Sequence, residues 1–288
     1  MEKIDGRKKL KFGYHTIRWG FAERITQPLP TILHEISSAG FEGFETHEED
    51  ISLFLKDKNK FLSLLSETKI QLASIYVHGN FIRGDMDFFN YIRRGFPLRK
   101  EIRRIAMVAE FAASVGCKRL VLGGGRKRKG GATKKDYVNM ASALNKIGKI
   151  CNNVNIEATY HPHLGAMIEQ LDEIDRLYEL IDPDLVYLTI DTAHLTAAGV
   201  DLIQLINTYR KRINHVHFKD LSNGKFVELG EGTINFPSII NSLKSINYNG
   251  WIIVEDEVDS GTPYAGSSTK SPFESAKNSK KYIDTYLR

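Results

Sequence analysis

Cysteine is scarce in this chain of 288 residues, which contains only Cys117 and Cys151. The two cysteines lie far apart in the sequence and do not have the spacing of metal ligands, so a cysteine-based metal site is not indicated. A chain with so few cysteines is most simply explained by a reducing compartment.

Long apolar runs are missing as well. No stretch reaches the length of about eighteen apolar residues that a membrane-spanning helix needs. The first ten residues begin with basic side chains, but the apolar segment of a secretory signal does not follow them. We therefore expect a soluble, cytoplasmic protein without a membrane partner.

A strong excess of one charge is also absent, because 40 basic residues are interleaved with 35 acidic ones, for a net charge of +5. The exception is the cationic run Arg126-Lys127-Arg128-Lys129, which is flanked by glycines. Such a loop could bind a phosphate or a nucleic-acid backbone. No aromatic residues are interleaved to stack on bases, so a solvated surface loop is favoured and nucleic acid is not expected as a partner.

Short apolar runs alternate with amphipathic stretches along the whole chain, and 42% of the residues are hydrophobic. The predicted strands are Leu10–His15, Phe41–Thr46, Ile70–Val77, Lys118–Leu122, Val154–Tyr160, Leu185–Ile190, Ile213–Phe218 and Trp251–Val254. The predicted helices are Leu29–Ala39, Lys58–Thr68, Leu98–Val115, Tyr137–Cys151, Glu169–Ile181, Leu202–Arg210, Pro237–Ile246 and Ser275–Tyr286.

Strict alternation of strands and helices favours a parallel sheet, and eight such units close naturally into a barrel. An open doubly wound sheet is the alternative, but the glycine fingerprint G-x-G-x-x-G does not follow the first strand. No linker rich in proline and serine interrupts the series. The sequence therefore predicts a single (β/α)8 TIM-barrel domain over residues 1–288.

Acidic and imidazole side chains follow several of these apolar runs in the second half of the chain. They are Glu169 beyond the fifth run, Asp191 after the sixth, His217 in the seventh and Glu255 after the eighth. The carboxyl ends of barrel strands open into one shared mouth, so these side chains should converge there. Three carboxylates and an imidazole would bind one divalent metal ion, with Mn²⁺, Mg²⁺, Co²⁺ and Zn²⁺ as candidates.

Three of these residues also have a structural alternative. Asp191 could cap the next helix, His217 could be a hydrogen-bonded core histidine, and Glu255 could be one carboxylate in the acidic run Glu255-Asp-Glu257. Burying all of them side by side without a metal ion or a substrate would be costly, which favours the functional interpretation.

Five segments occur in the order and at the separations of a known family. They are YHPHLG (160–165), IDTAH (190–194), HVHFKD (215–220), ELGEGTINF (228–236) and GWIIVEDE (250–257). In them the chain resembles the sugar phosphate isomerase/epimerase family, which has the xylose isomerase-like TIM barrel. The family includes inosose dehydratases, hydroxypyruvate isomerases and ketose epimerases, and the YHPH segment is most similar to the inosose dehydratase-like members.

The resemblance implies that Asp191, His217 and Glu255 are metal ligands and that His194 and Lys219 face the substrate. Many relatives carry a glutamate at the end of the fifth strand, where this chain has YHPH. We predict Glu169 as the fourth ligand; the alternatives are His161 and Glu157, although Glu157 should lie too deep in the barrel.

The implied substrate is a sugar, an inosose or a related keto-polyol. A metal ion that binds the carbonyl acidifies the adjacent C–H, and an enediolate forms when a carboxylate or an imidazole removes the proton. Isomerisation, epimerisation and dehydration can all follow. The proton-transfer candidates are His161, His163, His194 and Glu255, and Lys219 would either stabilise the oxyanion or pair with Asp220.

Four residues at the ends of the first three strands are predicted to line the same mouth and contact the substrate: His15, Trp19, Glu45 and His78. Trp19 could instead plug the barrel top. The exposed outer helices would also allow a homo-oligomer. Two other functions stay open. One is a metal-dependent phosphodiesterase similar to the apurinic endonucleases, although the chain lacks the further Glu and His residues at strand ends that their multinuclear site needs. The other is a catalytically silent sugar-binding barrel, which a protein without a bound divalent ion would favour.

Overall fold

The computed structural model describes residues 10–20, 25–79, 95–125, 127 and 130–287, with the side chains of 95–99 excepted. Arg126, Arg128 and Lys129 of the cationic run lie outside the described residues. Among the described helices, none is both long enough and apolar enough to cross a membrane.

Eight parallel strands close into a barrel in the order β1-β10-β7-β6-β5-β4-β3-β2. Their bounds are β1 Lys11–His15, β2 Gly43–His47, β3 Gln71–Gly79, β4 Arg119–Gly124, β5 Glu157–Tyr160, β6 Val186–Asp191, β7 Ile213–Phe218 and β10 Trp251–Val254. The two remaining strands, β8 Asp220–Ser222 and β9 Lys225–Val227, pair outside the barrel as an antiparallel hairpin. The TIM barrel predicted from the sequence is confirmed.

Helices connect successive barrel strands, and their apolar faces pack on the outside of the sheet. Their bounds are Leu29–Ser38, Lys58–Thr68, Gly95–Ser114, Lys134–Asn152, Leu171–Tyr178, Leu202–Thr208, Phe236–Ser245 and Pro272–Tyr286, together with a short helix at Thr192–Ala197 and a 3₁₀ turn at Thr16–Trp19. Every predicted helix has an observed counterpart, with bounds that differ by a few residues.

The hairpin and the helix Thr192–Ala197 were not predicted. The hairpin turn is Asn223-Gly224, and both residues have positive φ values of 50° and 73°. This is the turn that an asparagine–glycine pair favours between two short strands, so a signal for it was present in the sequence. Strand β5 begins at Glu157 rather than at the predicted Val154, because Asn155 adopts a left-handed φ of 58° that interrupts an extended chain.

Candidate functional site

Four buried polar side chains converge at the carboxyl end of the barrel. They are His161 directly after β5, Asp191 at the end of β6, His217 in β7 and Glu255 directly after β10. One potential ligand atom from each lies within 4.8 Å of every other. The barrel therefore brings together three of the predicted metal ligands with one of the two alternatives for the fourth.

The two carboxylate oxygens of Asp191 have different contacts. Its Oδ1 accepts hydrogen bonds from the backbone N–H groups of Ala193 and His194, both at 2.9 Å, and so caps the helix Thr192–Ala197. Its Oδ2 lies 3.6 Å from Nε2 of His161 and 3.8 Å from Nδ1 of His217. The helix cap thus fixes the carboxylate with its second oxygen in the cluster.

His217 lies between two carboxylates. Its Nε2 is 2.9 Å from Oε1 of Glu45, and its Nδ1 is 2.7 Å from Oε2 of Glu255. Burial alone would lower the pKa of His217, but the charges of Glu45 and Glu255 raise it to about 10. Without a metal ion, the imidazole is therefore protonated at neutral pH.

The unsatisfied atoms of the cluster match the requirements of a divalent metal ion. Asp191 Oδ2 is buried and forms no hydrogen bond among the described residues, and the buried atoms His217 Nδ1 and Glu255 Oε2 have only each other as a close partner, at 2.7 Å. Ligands that share an ion at about 2.0–2.2 Å lie roughly 3–4 Å apart. The distances from Asp191 Oδ2 to His161 and to His217, 3.6 and 3.8 Å, agree with this spacing, and the pair of His217 and Glu255 is closer, at 2.7 Å. Two imidazoles and two carboxylates are a donor set suited to Zn²⁺, Co²⁺ or Mn²⁺.

Glu169, the predicted fourth ligand, lies elsewhere. Its Oε1 pairs with Lys127, and its Oε2 accepts a hydrogen bond of 2.7 Å from the backbone N–H of Gly165. Among the described residues, Glu169 belongs to neither of the two groups whose atoms could share a metal ion. Lys127 and the backbone N–H of Gly165 thus bind its two carboxylate oxygens. The fourth residue of the cluster is His161.

Glu157, the other alternative, lies at the first residue of β5 and is partly exposed. Its carboxylate is 2.8 Å from Arg119 and accepts a hydrogen bond of 3.2 Å from Asn214. It is thus held at the opposite end of the strand from His161, in agreement with its predicted depth.

Lys219 is completely buried and pairs with carboxylates of the site. Its Nζ lies 2.6 Å from Glu257 and 3.0 Å from Glu255. Burial alone would lower the pKa of Lys219, but these carboxylates and Asp191 raise it well above its usual value. Asp220, the alternative partner, instead accepts hydrogen bonds from four backbone N–H groups, those of residues 221, 230, 232 and 234.

Two histidines beside Lys219 are held in the neutral form. Burial, followed by the charges of His161 and Lys219, lowers the pKa of His163 to about 4. Nδ1 of His163 lies 2.8 Å from the carbonyl oxygen of Leu164. A carbonyl only accepts hydrogen bonds, so Nδ1 carries the proton and Nε2 keeps a free lone pair.

His194 is the second neutral imidazole, and its ring centroid is 3.7 Å from that of His163. Burial lowers the pKa of His194 well below its usual value, and His163 and Lys219 add to this effect. Its Nε2 lies 3.1 Å from Nζ of Lys219. An ammonium group only donates, so Nε2 accepts and the proton is on Nδ1.

The four predicted substrate contacts divide into three locations. His15 and Glu45 are buried beneath the cluster, with Nε2 of His15 3.3 Å from Oε1 of Glu45. His78 is exposed at the edge of the mouth and stacks on His47 at 5.4 Å between ring centroids. Trp19 is fully buried and donates a hydrogen bond of 2.6 Å to Glu35 on an outer helix, which matches its structural alternative.

Three residues of the site were missed by sequence reasoning: His47, His215 and Glu257. Each lies two residues from a predicted residue, namely Glu45, His217 and Glu255 respectively. Residues two apart on a strand share a face, so this period was the signal that could have found His47 and His215. Glu257 lies beyond the end of its strand, and its signal was its place in the acidic run with Glu255.

Comparison with known proteins agrees with this architecture. The model of the xylose isomerase-like TIM barrel family matches residues 33–284, and the chain belongs to this family. An inosose dehydratase from Geobacillus kaustophilus (strain HTA426) is 28% identical, over 95% of this chain and 94% of that protein. An inosose dehydratase from Clostridium tetani (strain Massachusetts / E88) is 35% identical, over 52% of this chain and 55% of that protein.

Among solved structures, D-psicose 3-epimerase with D-tagatose from Clostridium cellulolyticum H10 has a TM-score of 0.78. It is 15% identical and covers 97% of this chain and 100% of its own, a likeness of fold alone. The family resemblance predicted from the sequence is confirmed, and so is the expectation of an enzyme, since the relatives are named as enzymes.

Proposed function

We propose that this enzyme removes a proton next to the carbonyl of an inosose or a related keto-polyol and that it depends on a divalent metal ion. The observation that carries the proposal is the convergence of His161, Asp191, His217 and Glu255, with Asp191 Oδ2 buried and without a hydrogen bond among the described residues. Dehydration is the favoured outcome, because relatives that cover nearly the whole chain are named inosose dehydratase. Isomerisation and epimerisation use the same first step and remain the alternatives.

The metal ion would be held by these four side chains, with His161 in place of the predicted Glu169. When bound, a divalent ion polarises a carbonyl oxygen and stabilises the negative charge that develops there. The Lys219 ammonium group, 3.0 Å from Glu255, adds a positive charge close to the same site.

His163 is the proposed proton acceptor. It is partly exposed at the mouth, and its Nε2 lone pair is free because Leu164 holds the proton on Nδ1. In a dehydration, Nε2 takes the proton from the carbon next to the carbonyl. The electron pair of that C–H bond forms the new C=C bond as the neighbouring C–OH bond breaks.

The departing hydroxyl group needs a proton to leave as water. Nδ1 of His194 carries a proton and has no hydrogen-bond partner among the described residues, although it is buried. A substrate hydroxyl group would satisfy this donor. As Nδ1 releases its proton, Lys219 can donate one to Nε2, 3.1 Å away, so that the imidazole stays neutral in its other tautomer.

The test is incubation with Mn²⁺ or Co²⁺ and a panel of inososes, ketoses and keto acids in D₂O. Deuterium incorporation next to a carbonyl detects proton removal whichever product forms, and loss of one water by mass spectrometry identifies dehydration. The variant Asp191→Ala should abolish both. Asp184→Asn is the matched control, because Asp184 is an exposed carboxylate two residues before the start of the strand that ends at Asp191.

Exchange that survives in Asp191→Ala would remove the proposed mechanism. A wild-type protein that binds no divalent ion and exchanges no proton would favour the catalytically silent barrel. Cleavage of DNA that contains abasic sites, without activity on any keto-polyol, would favour the phosphodiesterase.

A further inference from the structure

Glu45 is a carboxylate at the centre of a buried group of donors beneath the metal cluster. Its Oε1 lies 2.9 Å from Nε2 of His217 and 3.3 Å from Nε2 of His15. Its Oε2 lies 2.7 Å from Nε2 of His215 and accepts a hydrogen bond from the hydroxyl group of Ser74. Glu45, His215 and His217 are all 0% exposed, so neither solvent nor a polyol in the mouth reaches this carboxylate.

The contacts of Glu45 cross the barrel interior. Glu45 is on β2 and His217 is on β7, and β1 and β10 lie between these strands in the barrel order. Two side chains on non-adjacent strands can meet only through the inside of the barrel. Glu45 therefore contacts His15, His215 and His217 inside the barrel, beneath the cluster. The sequence had predicted it as a substrate contact.

The tautomers of the surrounding imidazoles follow from their partners. The backbone N–H of Ile17 donates to Nδ1 of His15 at 2.9 Å, so the proton of neutral His15 is on Nε2, facing Glu45. His217 must be neutral to bind a metal ion, and a proton kept on its Nε2 faces the Glu45 carboxylate at 2.9 Å. Nδ1 is then the atom that can bind the ion, and it is the nitrogen that lies 2.7 Å from Glu255 and 3.8 Å from Asp191 in the cluster.

We propose that Glu45 is a positioning residue for the metal centre: it fixes the tautomer and the ring orientation of His217, and His15, His215 and Ser74 hold it in place. This inference rests on the proposed function, since it requires the cluster to bind a divalent ion. A carboxylate behind a metal-binding imidazole orients the ring and increases its basicity, and its loss typically lowers metal affinity by about 10–100-fold.

The test is the variant Glu45→Gln, which keeps the size of the side chain but removes its charge. An amide cannot accept from all four donors. We expect the dissociation constant for Co²⁺, measured by isothermal titration calorimetry on the full chain, to rise by about 10–100-fold. The visible absorption spectrum of bound Co²⁺ should also change, because it reports the ligand geometry and does not depend on turnover.

Thr68→Val is the control. It removes a buried hydrogen bond, from the Thr68 hydroxyl group to the backbone carbonyl of Leu64, on an outer helix. It should lower stability while the Co²⁺ affinity and spectrum stay close to those of the wild type. If Glu45→Gln does not fold, Glu45→Asp decides, because it keeps the charge but withdraws it from His217 and should weaken Co²⁺ binding.

The outcomes separate the two proposals. A wild-type protein that binds Co²⁺, an Asp191→Ala variant that does not, and a Glu45 variant with wild-type affinity and spectrum would overturn the positioning role and leave the proposed function standing. A Glu45 variant that loses stability alone, in the same way as Thr68→Val, would do the same. A wild-type protein without Co²⁺ binding would overturn both.

Discussion

Replacing Lys219 by methionine removes a fully buried ammonium group while nearly preserving the volume of the side chain. The ammonium lies 2.6 Å from Glu257, 3.0 Å from Glu255 and 3.6 Å from Asp191. In the metal-free protein, the variant leaves these buried carboxylates without their shared cation. Breaking a buried ion pair in this way costs about 3–5 kcal/mol.

The expected change in melting temperature follows from the length of the chain. At about 2.1 cal/mol/K per residue, the entropy of unfolding of 288 residues is about 0.6 kcal/mol/K. The loss of stability then corresponds to a melting temperature lower by about 5–8 °C. Differential scanning calorimetry in the presence of a chelator measures this shift directly.

Lys281→Met is the control for the loss of one lysine, because Lys281 is exposed on the last outer helix. Its substitution should shift the melting temperature by less than about 1 °C. A shift of comparable size for Lys219→Met would refute the reasoning, since it would mean that the buried carboxylates do not depend on this ammonium group. Added Co²⁺ should stabilise Lys219→Met at least as much as the wild type, because a cation is restored to the site.

Three further predictions concern the pH dependence, the packing and the proton acceptor. Burial raises the pKa of Asp256 to about 6 despite its hydrogen bond from Tyr14. Between about pH 4 and 6 the folded protein therefore keeps a proton that the unfolded chain releases, so its free energy of unfolding falls as the pH rises. The free energy of unfolding of Asp256→Asn, relative to the wild type in urea titrations, should therefore rise by up to about 3 kcal/mol over this window, and a constant difference would contradict the shift. Gly148→Ala should destabilise by about 1–3 kcal/mol in the same assay, because the new Cβ would lie 2.5 Å from the carbonyl oxygen of Leu185; stabilisation, which helix propensity alone predicts, would show that the helix can move away. His163→Gln should lower the rate of deuterium exchange by about 10²–10⁴-fold with unchanged Co²⁺ affinity, and unchanged exchange would exclude His163 as the proton acceptor.

The predicted strand bounds agree best with the structure where every residue of the strand is buried. The observed bounds of β7 and β10 are those predicted, and every residue of both strands is buried. The side chains of a short strand that is buried on both faces must be apolar or must have polar partners inside the protein. The first and last residues of such a strand are therefore easy to recognise in the sequence. The start of β5 was missed because the left-handed Asn155 ends the preceding turn, and an asparagine in an apolar run reads equally well as part of a strand.

The convergence of Asp191, His217 and Glu255 was also predictable, because each lies at the carboxyl end of a strand and a closed barrel brings those ends together. Glu169 shows the limit of that reasoning. It follows β5 at a distance of nine residues, beyond a turn at Gly165 that binds its carboxylate locally. His161 is adjacent to the strand end, so the rule that selected the other three residues selects His161 as well.

The depth of a side chain inside the barrel could not be obtained in this way. Alternation assigns Glu45 and His47 to the same inward face of β2, but their heights relative to β7 depend on how the strands are offset around the barrel. The structure has register shifts at Phe44/Glu45 and at Leu188/Thr189, which slide neighbouring strands past one another. These offsets arise from pairing between segments distant in the sequence, so a carboxylate buried beneath the cluster, such as Glu45, and one at the mouth of the barrel have the same local pattern.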